Sequence, residues 1–69
     1  MINIKPGTIL KLRKKTTILI RDKNIYISSY FLEEPKKIIF LAEEEKYLGY
    51  SVIKILIDGK VKYTYYHFD

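Results

Sequence analysis

The chain of 69 residues contains no cysteine and no tryptophan, one histidine, two prolines and three glycines. Without cysteine it can form no disulfide framework and no thiolate metal site. Gly7, Gly49 and Gly59 are isolated, so no glycine-rich loop exists to cradle a phosphate. Arginine is scarce: two of the thirteen cationic residues, Arg13 and Arg21, carry a guanidinium. Lysine is a point charge on a flexible stem, whereas arginine reads phosphate or guanine bidentately. The balance therefore favours loose attraction to anionic surfaces over sequence reading. Long apolar runs are also missing. The longest, Ile38 to Ala42, is far short of the ~18 residues of a membrane span. The opening Met1-Ile2-Asn3-Ile4-Lys5-Pro6-Gly7 lacks a charged-then-apolar signal pattern. The expectation is a cytoplasmic chain, or one incorporated in a larger particle, neither secreted nor membrane-bound.

What remains is a small, basic, tyrosine-rich polypeptide. It weighs 8.3 kDa, with a net charge of +5, seven tyrosines and a hydrophobic fraction of 48%. That is too apolar for compositional disorder. A chain this short makes one domain, residues 1–69, and buries only about 60% of its unfolded surface. A deep cavity for a small-molecule substrate is not expected.

No window repeats apolar residues at helical spacing over three turns. Short β-branched and aromatic runs alternate with turn residues instead. The expected strands are Thr8 to Leu12, Thr16 to Ile20, Ile25 to Phe31, Lys36 to Ala42, Tyr50 to Ile57 and Lys60 to Phe68. Pro6-Gly7 opens the first. Asp22-Lys23-Asn24 reads as a tight turn, with Asn24 suited to the left-handed region. Pro35 ends the third strand's connection because it has no N–H to give a ladder. Glu43 to Gly49 reads as a loop or a single helical turn.

Asp58-Gly59 marks a hairpin with two candidate registers. A two-residue type I′ turn sets Ile55 against Lys62 and Lys54 against Tyr63, mixing apolar and charged groups on both faces. A three-residue loop, Ile57-Asp58-Gly59 with a bulge at Gly59, gathers Ile53, Ile55, Val61, Tyr63 and Tyr65 on one face. It leaves Lys54, Leu56, Lys60, Lys62, Thr64 and Tyr66 on the other. The second register sorts the chemistry better and is the expected one. It creates a face where Lys54, Lys60 and Lys62 flank Tyr66, the one constellation resembling an anion-binding surface. Lys11, Arg13, Lys14 and Lys15 form a second basic group at the first strand. The plain reading of both is solvated lysine.

Catalysis is not expected. His67 stands alone near the end, Ser28, Ser29 and Ser51 have no partner motif, and consecutive Glu43, Glu44 and Glu45 cannot converge on one metal. No cofactor and no metal is predicted. The tyrosines carry more meaning. Alternation sets Tyr26 and Tyr30 on one side of the third strand, and Tyr47 and Tyr50 bracket Gly49. In so small a core many rings must remain partly at the surface, where tyrosine is enriched in interfaces.

The expected fold is all-β: a small SH3-like or OB-like barrel of five to six short antiparallel strands. The opening Pro6-Gly7-Thr8-Ile9-Leu10-Lys11-Leu12 resembles the first strand of SH3-like barrels. The segment Ile53-Lys54-Ile55-Leu56-Ile57-Asp58-Gly59-Lys60-Val61 resembles their last hairpin. Small proteins of this pattern are common among bacteriophage products. The resemblance covers about twenty residues and rests on turn chemistry. The chain departs from the pattern in lacking a tryptophan on the last hairpin, where Tyr63 and Tyr65 would serve, and in its acidic stretch before that hairpin. The resemblance implies a non-catalytic adaptor or accessory protein.

Two functions compete. The first is a protein-interaction module that docks on a larger assembly, or on copies of itself, through Tyr26, Tyr30, Tyr47, Tyr50 and Tyr66 and a free strand edge. The alternative is a nucleic-acid-binding barrel in which Lys11, Arg13, Lys14, Lys15, Lys54, Lys60 and Lys62 contact phosphates and Tyr66 stacks on a base. The glutamates at 33–34 and 43–45 favour the first, because they set negative charge on the same small body.

Overall fold

A computed structural model of the chain describes residues 4–67. Six strands follow in order: β1 (Ile9–Leu12), β2 (Thr17–Asp22), β3 (Ile25–Phe31), β4 (Lys36–Tyr47), β5 (Tyr50–Ile57) and β6 (Lys60–His67). There is no helix among the described residues, so none that could cross a membrane. All-β architecture with six antiparallel strands is as the sequence implies. Phe68, expected to end the last strand, lies outside the described residues.

The strands make one sheet in the order β1-β4-β5-β6-β2-β3, with every neighbouring pair antiparallel. The sheet is open rather than closed, with β1 and β3 at its two edges. It is nevertheless strongly curled. β1 and β2 stand four strand spacings apart in the sheet, about 19 Å if it were flat. The connection from Leu12 to Thr17 reaches at most about 18 Å fully extended. It also turns through Lys15 at φ 74°, so the sheet must bend to let the two ends approach.

The curl creates a concave face that holds the main core. Leu12, Ile18, Leu32, Ile38, Phe40, Ile53, Ile55 and Ile57 cluster there, all nearly inaccessible. A second, smaller cluster of Leu19, Val52 and Tyr63, with Tyr26 against it, forms on the convex side. The central strand β5 is therefore buried on both faces. The buried Thr64 hydroxyl donates to the Thr17 carbonyl at 2.7 Å, satisfying two polar groups where β6 meets β2.

The turns explain the register. Pro6 followed by Gly7 at φ 93° has the residue pattern of a type II turn. It brings the Gly7 N–H to the Phe40 carbonyl at 2.7 Å. Asp58 and Gly59 both have positive φ, 52° and 74°, as a type I′ turn requires. Ile57 pairs with Lys60, Ile55 with Lys62 and Lys54 with Tyr63. The expected three-residue loop is thus replaced by the two-residue turn. The preference for it assumed one dry and one solvated face, and the second cluster removes that assumption. In the β2–β3 hairpin it is Lys23, at φ 59°, that takes the left-handed conformation rather than Asn24.

Glu43 to Tyr47 also differs from expectation: it continues β4 as a strand. Two register shifts, between Phe40 and Ala42 and between Glu43 and Glu45, leave Leu41 and Glu44 without a direct partner. Such bulges bend a long strand, and here they let β4 follow the curl.

Candidate functional site

β3 is the edge with the most exposed apolar surface. Its seven residues contain no charge and no proline, and it pairs only with β2 among the described residues. A bulge interrupts that ladder: Ile18 pairs with Tyr30 but Leu19 pairs with Ser28, leaving Ser29 as the extra residue. Directly opposed residues share a face. Ile25, Ile27 and Tyr30 therefore lie on the concave side with Asp22, Ile20 and Ile18. Tyr26, Ser28 and Phe31 lie on the convex side with Arg21, Leu19 and Thr17. This corrects the simple alternation that set Tyr26 and Tyr30 on one side. Ile25 is 59% exposed and Phe31 64%, with Tyr30 and Ile27 near 40%. A shallow depression of about 740 Å³ opens beside Phe31, lined also by Thr17, Ser28, Ser29, Tyr30 and Glu33.

The convex face carries an aromatic cluster built by β2, β3, β5 and β6. Tyr26 meets Tyr63 edge to face, and Tyr50 meets Tyr65 likewise at 5.9 Å and 82°. The Arg21 guanidinium lies 5.8 Å from the centre of the Tyr26 ring. It also donates to the Lys23 carbonyl at 2.9 Å and to Glu44 at 3.2 Å. Hydrogen bonding to Tyr63, with the charge of its neighbours, holds the Arg21 pKa above its ordinary value. Burial pushes the Tyr26 phenol up as well, partly opposed by Arg21. Of the tyrosines singled out from the sequence, Tyr26 and Tyr50 join this cluster. Tyr30 stands apart on the concave side, and Tyr66 packs against the main core. The side chain of Tyr47 lies outside the described residues. Sequence reasoning did not enlist Arg21 or Glu44, whose pairing spans 23 residues.

The lysines do not form the face expected of them. The two-residue turn sets Lys60, Lys62 and Tyr66 on the concave side of β6 and Lys54 with Tyr63 on the convex side. The proposed trio is split. Lys11 stands opposite Lys37 on β1 and β4. Lys36 is bound to Asp58, its ammonium 2.9 and 2.8 Å from the two carboxylate oxygens. Lys14 and Lys15 lie in the exposed connection to β2, where the Lys15 N–H donates to the Leu32 carbonyl. That contact brings the connection beside Glu33 and Glu34. Lys11 and Arg13 do share one feature with the far end of β6: a cleft of about 480 Å³ lined with Leu12, Thr16, Tyr65, Tyr66 and His67.

The three consecutive glutamates diverge. Glu43 accepts the hydroxyl of the fully buried Ser51 and lies 3.9 Å from Lys46. Glu44 pairs with Arg21. Glu45, opposite Val52 on β5, lines a cleft with Tyr26, Tyr50 and Tyr65. Among the described residues no three histidine, aspartate or glutamate side chains gather as a metal site.

No protein-family model, no curated protein and no solved structure matches this chain.

Proposed function

We propose that the protein is a small non-catalytic docking module that joins a larger protein assembly through the free edge of β3 and the aromatic residues on it. The composition of that edge carries the reading. Sheet edges are ordinarily protected by lysine, proline, short length or a bulge. β1, the other edge, is four residues long and contains Lys11; β3 is seven residues long with no charge and no proline, and the bulge at Ser29 is its one such device. An added strand would take backbone hydrogen bonds from β3. It would find Ile25, Ile27 and Tyr30 on one face and Tyr26 and Phe31 on the other for specificity. The dispersal of the cations, with Lys54 split from Lys60 and Lys62 and with Arg21, Lys36 and Lys46 paired to carboxylates, supports a protein partner over a polyanion. An SH3-like or OB-like barrel type, a bacteriophage accessory role and a cytoplasmic or particle-bound location belong to the same proposal.

A photoreactive residue tests it, placed at Phe31 or, as a control, at the half-exposed Val61 on β6, in cells expressing the chain. Crosslinking to protein from position 31 and not from 61 is the expected result. Equal crosslinking from both, or from neither, overturns the reading.

The cleft joining Lys11 and Arg13 to Tyr65, Tyr66 and His67 favours a second reading, in which cations hold phosphates and a ring stacks on a base of single-stranded nucleic acid. Binding of that kind weakens steeply with salt and is lost in the double variant K11A/R13A. Absence of any gel shift at low salt sinks it.

A further inference from the structure

We infer that the partner of the β3 edge is a second copy of this chain, joined by antiparallel β3–β3 pairing about a two-fold axis. The inference rests on the docking role proposed for β3. A two-fold interface is isologous: if residue i meets j, then j meets i. The bulge at Ser29 selects the register. In a regular strand only residues of equal parity share a face. The extra residue changes this, so Tyr26 and Phe31 both lie convex while Ile27 and Tyr30 both lie concave. A two-fold axis between Ser28 and Ser29 then sets Tyr26 against Phe31 of the second copy on one face. It sets Ile27 against Tyr30 on the other, and the two bulged serine pairs fall opposite each other. Every opposed pair keeps its face, and no charge lies within the seven-residue strand.

The ends of the strand supply complementarity. Lys23 stands in the turn just before β3, and Glu33 and Glu34 in the bend just after it, so antiparallel pairing brings the Lys23 end of each copy to the end of the other that carries Glu33 and Glu34. Symmetry repeats this at both ends of the edge. Lys23, Glu33 and Glu34 are all exposed, and none of them takes part in the ion pairs found among the described residues. Two copies each bearing +5 repel at long range. This arrangement meets that repulsion with opposite charges at both ends of the shared edge, and it covers the strand with the most exposed apolar residues among those described.

Sedimentation equilibrium on the full chain tests the inference. The expected species is a dimer of twice 8.3 kDa. Lys23→Glu and Glu34→Lys should each weaken it about ten-fold, because each change acts twice in a symmetric interface. The double variant K23E/E34K should recover affinity close to the parent. Ile27→Lys, a lysine on an exposed edge position, should yield a folded monomer by circular dichroism. A chain monomeric at about 0.1 mM, weaker than most specific interfaces, overturns the inference. So does a dimer indifferent to these substitutions, or single losses that the double variant does not reverse. Crosslinking from Phe31 to a different protein, with the chain itself monomeric, overturns the self-pairing and leaves the docking role standing.

Discussion

Tyr26 of β3 and Tyr63 of β6 meet edge to face across the intervening β2, their ring centroids 5.2 Å apart at 61°. The contact joins the outermost hairpin to the centre of the sheet on the side away from the main core. A double-mutant cycle with Tyr26→Leu and Tyr63→Leu should give a coupling of about 0.5–1.5 kcal/mol in denaturant unfolding. Strict additivity would mean that the rings do not stabilise each other.

Ser51 is fully buried and its hydroxyl donates to Glu43. Ser51→Ala should lower stability by about 1–3 kcal/mol, because the carboxylate keeps its desolvation and loses its donor. Thr64→Val acts on the Thr17 carbonyl in the same way and should fall in the same range. A loss below the error of equilibrium unfolding for both would place these hydroxyls outside the stabilising network.

Ile53 has no exposed surface and packs in the concave core on the central strand. Ile53→Ala should cost about 2–5 kcal/mol and Ile53→Val about 0.5–1.5 kcal/mol. Thermal unfolding of the pair measures the difference.

Gly59 has φ 74°, and a Cβ there would meet nothing within 4 Å. Gly59→Ala should therefore cost about 1–2 kcal/mol from backbone conformation alone. Asp58→Asn should preserve the turn while removing the Lys36 ion pair, with little change in unfolding midpoint.

Alkaline pH should weaken the fold, chiefly through Tyr26. Burial raises the Tyr26 phenol above its ordinary 10.0; the Asp58 hydrogen bond also raises the Lys36 ammonium above 10.5, but that pair is exposed and adds little. In both cases the unfolded chain loses its proton first. The stabilisation is fully present below about pH 10 and fades as pH rises through the folded pKa. Unfolding in denaturant at rising pH should show this decline, shallower in Tyr26→Phe. A parent and variant of identical slope would remove Tyr26 from the account.

The strands were legible because their signals are local. Ile25 to Phe31 and Tyr50 to Ile57 were expected with the bounds they have, and Asp58-Gly59 was legible as a turn. Register was not, because it depends on what covers each face. Choosing between two hairpins on the assumption of a solvated side sets Lys60, Lys62 and Tyr66 on the wrong face, because the two-residue turn places them with Ile53 and Ile55. The bulges at Ser29, Leu41 and Glu44 carry no glycine to mark them, yet one of them separates Tyr26 from Tyr30. The pairing of Arg21 with Glu44 reaches across two intervening strands, β5 and β6, and depends on the bending of the sheet, which no local pattern encodes.

The ladder between β2 and β6 has a kinetic consequence. It is registered at only two positions, Ile18 with Thr64 and Leu19 with Tyr63, although it joins segments some 45 residues apart in the chain. The β4–β5–β6 meander and the β2–β3 hairpin each form from neighbouring residues, whereas this junction must wait for a long loop to close. It should be the last ladder to form and the first to part. Amide hydrogens of β2 and β3 should therefore exchange together, ahead of those in β5, as the hairpin swings out on its two four-residue connections, 13–16 and 32–35.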